Sequence, residues 1–180
     1  MPRHAAPGSP FGCRWPIPRT GAALRVAAVP EHLPATHHGT AIAVDGRAAL
    51  IRGASGAGKS DLALRCITLP PSLLLPSPAE LVADDRVVMA SDGNRLRIEP
   101  PSTLAGRMEV RGLGIVAMPY VPWAFVELVV DLTAPAEVDR LPDPPLRTNL
   151  LGINLPLLRL APFEASAPIK LLLALETCKD

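Results

Sequence analysis

A chain of 180 residues, 48% hydrophobic and 19% charged, is long enough for one domain with a substantial apolar core. A formal net charge of +1 and an aromatic content of 3% argue against nonspecific nucleic-acid binding and against a platform that stacks single-stranded bases. Cys13, Cys66 and Cys178 are odd in number and far apart, which fits reduced thiols in a cytoplasmic protein better than a disulfide framework.

Residues 1–34 are rich in proline and arginine, have no acidic residue before Glu31 and show no sustained apolar period. They read as a flexible tail with one strand-like run at Leu24–Val29, and residues 35–180 read as a single domain. Thr40–Val44 and Arg47–Ile51 are short apolar runs joined by Asp45-Gly46, a strong hairpin signal. A helix is expected over Ser60–Ile67, then an irregular connection through Pro70–Pro78. Leu81–Ala83, Val87–Ala90 and Arg95–Ile98 read as strands, the last two joined by a turn at Ser91-Asp92-Gly93-Asn94. Arg107–Gly114 is polar and glycine-bearing and reads as a loop. Ile115–Ala117 and Phe125–Leu132 are strand-like, Ala134–Pro145 is a proline-broken connection, and Ile169–Thr177 reads as a C-terminal helix. The most apolar stretch, Gly114–Leu132, is interrupted by Pro119, Pro122 and Glu127, so no membrane span is expected.

The strongest motif is Gly53-Ala54-Ser55-Gly56-Ala57-Gly58-Lys59-Ser60, a complete G-x-x-x-x-G-K-S/T phosphate loop. Its glycines let backbone N–H groups close around a polyphosphate, the lysine reaches the terminal phosphates, and the serine hydroxyl meets a magnesium ion. Lys59 is one of only three lysines, so it is not drawn from a lysine-rich background. The motif follows the second strand of a hairpin, whereas ordinary phosphate-loop proteins place it after a strand of a parallel βαβ unit. This points to an α/β domain with a largely antiparallel or mixed sheet.

Asp84 and Asp85 end an apolar strand, where a carboxylate can accept a proton or hold metal-bound water. Successive strand residues face opposite ways, so only one of the pair faces the phosphates unless the backbone turns between them. Glu109 is a candidate oxygen ligand for magnesium. Taken singly, Glu109, Arg111, Arg140 and His38 read as ordinary surface residues.

In combination they are more specific. His38-Gly39, the hairpin, residues 53–60, Val82-Ala-Asp-Asp-Arg-Val87 and Met108-Glu-Val-Arg-Gly-Leu-Gly114 follow the order seen in the catalytic domain of bacterial HPr kinase/phosphorylases. The resemblance spans roughly residues 38–160. It implies a nucleotide-binding domain like that of phosphoenolpyruvate carboxykinase, with ATP and magnesium as cofactors. It also implies an HPr-like phosphocarrier of a regulatory phosphotransferase system as protein substrate, and a homo-oligomer, the family being hexameric. Residues 53–60 would bind ATP, while Ser60, Glu109 and Asp84 fall at the metal. His38, Lys59 and Asp85 match active-site positions, Asp85 as the base toward the substrate serine. Glu137-Val-Asp-Arg-Leu141 is similar to the family's Tyr-Asp-Arg-Leu segment, which makes Arg140 the matching catalytic arginine.

Two departures from the pattern shape the expectation. Only a short segment precedes His38, as in the short alphaproteobacterial forms. The arginine-bearing loop tied to dephosphorylation is replaced by Ala161-Pro-Phe-Glu-Ala-Ser166, with Lys170 several positions away. Kinase activity is therefore expected without phosphorylase activity. The alternatives are a non-catalytic nucleotide-sensing module and a small-molecule kinase or ATPase on the same scaffold.

Overall fold

The computed structural model describes residues 35–178. The tail 1–34, with its strand-like run at Leu24–Val29, lies outside the described residues.

Short apolar runs with turn residues between them produce eleven strands among the described residues, together with two helices. In chain order the first are β1 (Ala35–His38), β2 (Thr40–Val44), β3 (Arg47–Arg52), α1 (Lys59–Thr68), β4 (Glu80–Ala83), β5 (Arg86–Asp92) and β6 (Arg95–Glu99). They are followed by β7 (Arg107–Val110), β8 (Gly114–Ala117), β9 (Ala124–Leu132), β10 (Arg147–Leu150), β11 (Ile153–Leu160) and α2 (Ala167–Thr177). A short 3-10 turn, Pro135–Glu137, interrupts the connection after β9.

The main sheet is mixed and nine-stranded, ordered β1-β5-β6-β9-β3-β2-β4, with β11 also pairing β9 and β10 pairing β11. The β2–β3 hairpin forms as expected, and Asp45 and Gly46 both have positive φ, 51° and 78°, as a tight primed turn requires. β3 runs parallel to β9, and β9 runs parallel to β11. The phosphate loop thus leaves the C-terminal end of one of three parallel neighbours, although an antiparallel hairpin feeds it.

At the centre of the sheet both faces are buried, which explains why β2, β3 and much of β9 are nearly continuous apolar runs. Ile42, Val44, Ala49, Ile51, Leu128 and Val130 face α1 and α2, meeting Leu62, Cys66, Leu171 and Leu175. On the other face Ala41, Ala43, Ala48 and Leu50 meet Val87, Met89, Leu96 and Ile98 of the curled β5–β6 arm. Burial pushes the Cys66 thiol up to about 12, against a partial counter-pull from Arg65.

Three departures from the sequence reading have physical reasons. Residues 107–114 are only partly a loop: β7 pairs with β8 across a turn at 111–113 to form a separate two-stranded ribbon. Buried Met108 anchors it, and a four-residue alternation with a single buried side chain leaves almost no periodic signal. β1 is a four-residue edge strand, too short to read. No element is expected from sequence over 147–160, where β10 and β11 form, and Pro156 within β11 argues against a strand by itself. The ladder with β9 begins only at Leu157, so the missing N–H falls before it.

Candidate functional site

The phosphate loop bridges the end of β3 and the start of α1. Gly58 caps α1 with a left-handed φ of 93°, and the Leu62 N–H already bonds to its carbonyl. The helix N-terminus therefore points its free N–H groups and its dipole at the loop. Lys59 is buried, and its Nζ donates to the carbonyls of Gly53 and Ala54 at 3.0 and 2.9 Å. The loop thus holds its own lysine at the centre of the arc.

Asp84, at the end of β4, is the hub of the site. It is 4% exposed and accepts three hydrogen bonds. Thr40 donates its hydroxyl to Oδ1 at 2.8 Å, Ser60 donates its hydroxyl to the same oxygen at 2.7 Å, and the Glu109 N–H donates to Oδ2 at 3.0 Å. One carboxylate therefore ties β2, the phosphate loop and the β7–β8 ribbon together. Such charge-assisted bonds are worth about 1.5–3 kcal/mol each when partly shielded from water.

The next residue turns the other way. Asp85 has φ +64°, a conformation that non-glycine residues adopt rarely and that asparagine and aspartate tolerate best. Its carbonyl accepts from the Gly39 N–H, and the Arg86 N–H folds back onto the Asp84 carbonyl. Of the two carboxylates only Asp85 lines the open cleft, while Asp84 supports it from behind through Ser60 and the Glu109 N–H. Asp85 stays 59% exposed, and its Oδ1 lies 3.2 Å from Nδ1 of His38.

Asp85 and His38, but not the buried Asp84, line a cleft of about 370 Å³. His38 and Asp85 stand with Ser55, Gly56, Gly58, Lys59 and Ser60, and the Glu109 and Arg111 ribbon forms the far wall. Arg111 reaches over the loop: a Cβ added to Gly56 would lie 3.9 Å from a guanidinium nitrogen. Gly53, Ala54 and Ala57 complete the loop without lining this cleft.

Arg140 is not brought to it. It lies exposed in the connection after β9, which ends near the cis Asp143-Pro144 peptide. Glu137 in that segment accepts a hydrogen bond from the Thr133 hydroxyl, which with the Ala134 backbone holds its carboxyl below the usual range.

Ser60, Asp84 and Glu109 present only oxygen donors, which suits a hard cation such as magnesium. Among the described residues no three His, Cys, Asp or Glu side chains converge as a complete metal cage. A magnesium ion here would depend on phosphate and water oxygens as well, as it does in nucleotide sites.

Sequence reasoning missed Thr40, whose hydroxyl supports Asp84; a threonine opening a strand carries no functional signal. It also missed Phe163, which is 73% exposed yet packs on the loop, so that a Cβ at Gly58 would sit 3.0 Å from its ring.

Comparison with known proteins gives the chain a family. The family model described as the HPr Serine kinase C-terminal domain matches residues 32–174. The HPr kinase/phosphorylase of Limosilactobacillus reuteri (strain DSM 20016) is 32% identical over 144 residues, covering 74% of this chain and 40% of that protein. The HPr kinase/phosphorylase of Lactobacillus acidophilus is 40% identical over 80 residues, covering 44% of this chain and 22% of that protein. The chain thus spans well under half the length of these relatives. The solved Hpr(Ser) kinase/phosphatase from Coxiella burnetii superimposes with a TM-score of 0.65 at 25% identity, covering 79% of this chain and 95% of that one. Among the described residues no helix is long and apolar enough to cross a membrane.

Proposed function

We propose, because the chain belongs to the HPr serine kinase C-terminal domain family, that it is an ATP- and magnesium-dependent kinase that phosphorylates a serine of an HPr-like phosphocarrier. One observation carries this reading: Asp84 joins Ser60 of the phosphate loop to the strand and ribbon that present Asp85, His38 and Glu109. The hairpin that feeds the loop supports a nucleotide-binding core like that of phosphoenolpyruvate carboxykinase.

The backbone of residues 53–60 and the α1 N-terminus hold the polyphosphate, and Lys59 leaves the carbonyls of Gly53 and Ala54 for its terminal oxygens. Asp85 accepts the proton of the attacking serine hydroxyl, while His38 at 3.2 Å fixes the orientation of the carboxylate. Asp85 stands at the open mouth of the cleft, where a hydroxyl carried on a protein loop can reach it. Ser60 and Glu109 would hold the magnesium ion, with Asp84 aligning the serine hydroxyl; when bound, the ion neutralises charge on the phosphate oxygens. Arg111 already overhangs the loop, whereas Arg140, exposed outside the cleft, would reach the transferring phosphoryl group only if its segment were repositioned. The reverse reaction lacks support: Ala161–Ser166 has no arginine, and Lys170 is paired with Glu164.

Incubation with γ-labelled ATP, magnesium and an HPr-like carrier, followed by mapping of the modified residue, tests the proposal. Label on a carrier serine is expected. Label released only as phosphate, or passed to a small molecule, would point to the ATPase or small-molecule reading instead.

A further inference from the structure

A second cavity of about 660 Å³ borders the phosphate loop at Ala57. Its walls include Ala57, Leu132, Pro135, Ala161, Pro162 and Phe163. These come from the loop itself and from the segments that leave the C-terminal ends of the parallel strands β9 and β11. Open α/β sheets place ligands in that crevice, outside the carboxyl ends of their strands.

The two cavities meet at Phe163, which lines both. The phosphate cleft has a direction. With Asp85 as the base, the His38–Asp85 pair marks the reacting end, while Phe163 packs on Gly58 at the start of α1 and lines the same cleft. A polyphosphate laid along the loop from its reacting end therefore leaves past the exposed Phe163 ring. The segment carrying that ring is fixed: Arg65 donates to the carbonyls of Pro162 and Glu164.

We propose that this apolar shelf takes the nucleobase by stacking, with little preference for which base it is. The inference rests on the nucleotide reading above. The polar side chains around the shelf are already engaged with one another. Thr133 gives its hydroxyl to Glu137, and Lys170 binds Glu164. The Thr133 N–H is spent on the Leu160 carbonyl. Strong discrimination between bases needs buried donors and acceptors that only the right edge satisfies. A ring and two prolines offer instead a surface that any base can cover.

The test is binding without carrier, measured with magnesium for ATP, GTP, CTP and inorganic tripolyphosphate. In the native protein ATP and GTP are expected within about threefold of each other. Because base stacking on an aromatic ring is sequence-tolerant, Phe163→Ala should weaken both nucleotides by about tenfold. Phe163→Tyr should restore them, and tripolyphosphate should stay within about twofold throughout. The shelf is overturned if Phe163→Ala leaves ATP affinity unchanged. It is also overturned if tripolyphosphate is weakened equally, or if ATP is preferred over GTP by about a hundredfold. In all of these cases tripolyphosphate still binds the native protein, so the phosphate site survives. Failure of every triphosphate to bind would remove the nucleotide reading and the shelf together.

Discussion

The Asp84 neighbourhood and the segment after β9 hold the two halves of the same predicted active site in opposite states. Around Asp84, three elements distant in sequence are fastened by three hydrogen bonds to one buried carboxylate. Around Arg140, the chain is exposed, proline-broken and outside the cleft. The contrast teaches that the phosphate-loop half is already fastened together, while the Arg140 half, on the kinase reading proposed above, would have to be brought to the cleft by an event such as carrier docking. Preassembly suits phosphoryl transfer, where the protein contributes positioning and electrostatics more than covalent chemistry.

The largest effect should come at Asp85. Asp85→Asn should cut carrier phosphorylation by about a thousandfold while leaving ATP affinity within a few fold, because it removes a base and little binding. Equal turnover would remove Asp85 from the chemistry. Asp84→Ala should act on the fold as well as on activity. It strips Thr40, Ser60 and the Glu109 N–H of one acceptor, and urea unfolding should show a loss of about 3 kcal/mol. An unchanged midpoint would mean that the hub carries no structural load.

Arg140→Ala is the sharpest probe of the comparison. An exposed arginine without structural duty should change stability by less than about 0.5 kcal/mol. If it joins the carrier-bound site, phosphorylation should still fall by about a hundredfold with ATP affinity unchanged, the pattern of a group felt only in the transition state. No change in rate would confine the chemistry to the preassembled half.

Smaller again is Gly58→Ala. Its φ of 93° and the 3.0 Å approach to Phe163 leave no strain-free place for a methyl group, so a loss of about 1–2 kcal/mol is expected, with weaker nucleotide binding. Cys66 gives a pH signature of the core alone. Its thiol ionises near 9.0 when unfolded and near 12 when folded, so the native state holds that proton longer. Stability should be intact below the lower value and should fall as pH rises between them. Cys66→Ala should flatten that slope in alkaline denaturation curves.

What the sequence revealed and what it hid divide along the same physical line. The phosphate loop, the Asp45-Gly46 turn and the acids at 84 and 85 were readable because local chemistry dictates them: glycines for a turn, a lysine for phosphate, carboxylates at a strand end. The α/β class and mixed sheet followed from the hairpin feeding the loop. Less readable was anything decided by tertiary closure. The alternation at Asp84 and Asp85 could not show that the first would be buried behind the phosphate loop while the second, on a left-handed backbone, lines the cleft. The first strand of the ribbon, at 107–110, read as a loop because it is held by Met108 and by Asp84 accepting from the Glu109 N–H rather than by a period of its own, whereas Ile115–Ala117 was legible as a strand. Phe163 carried no signal, since its partner Gly58 is far away in sequence. Arg140 was named through resemblance, and nothing in the local sequence fixes where its segment rests.

The most direct measurement is a crystal structure with a non-hydrolysable ATP analogue and magnesium. The account predicts the triphosphate along residues 53–60, Lys59 turned from its loop carbonyls to the terminal phosphates, magnesium on the Ser60 hydroxyl and Asp85 facing the γ-phosphate. Phosphates bound away from that loop, or a metal out of reach of Ser60 and Glu109, would contradict it.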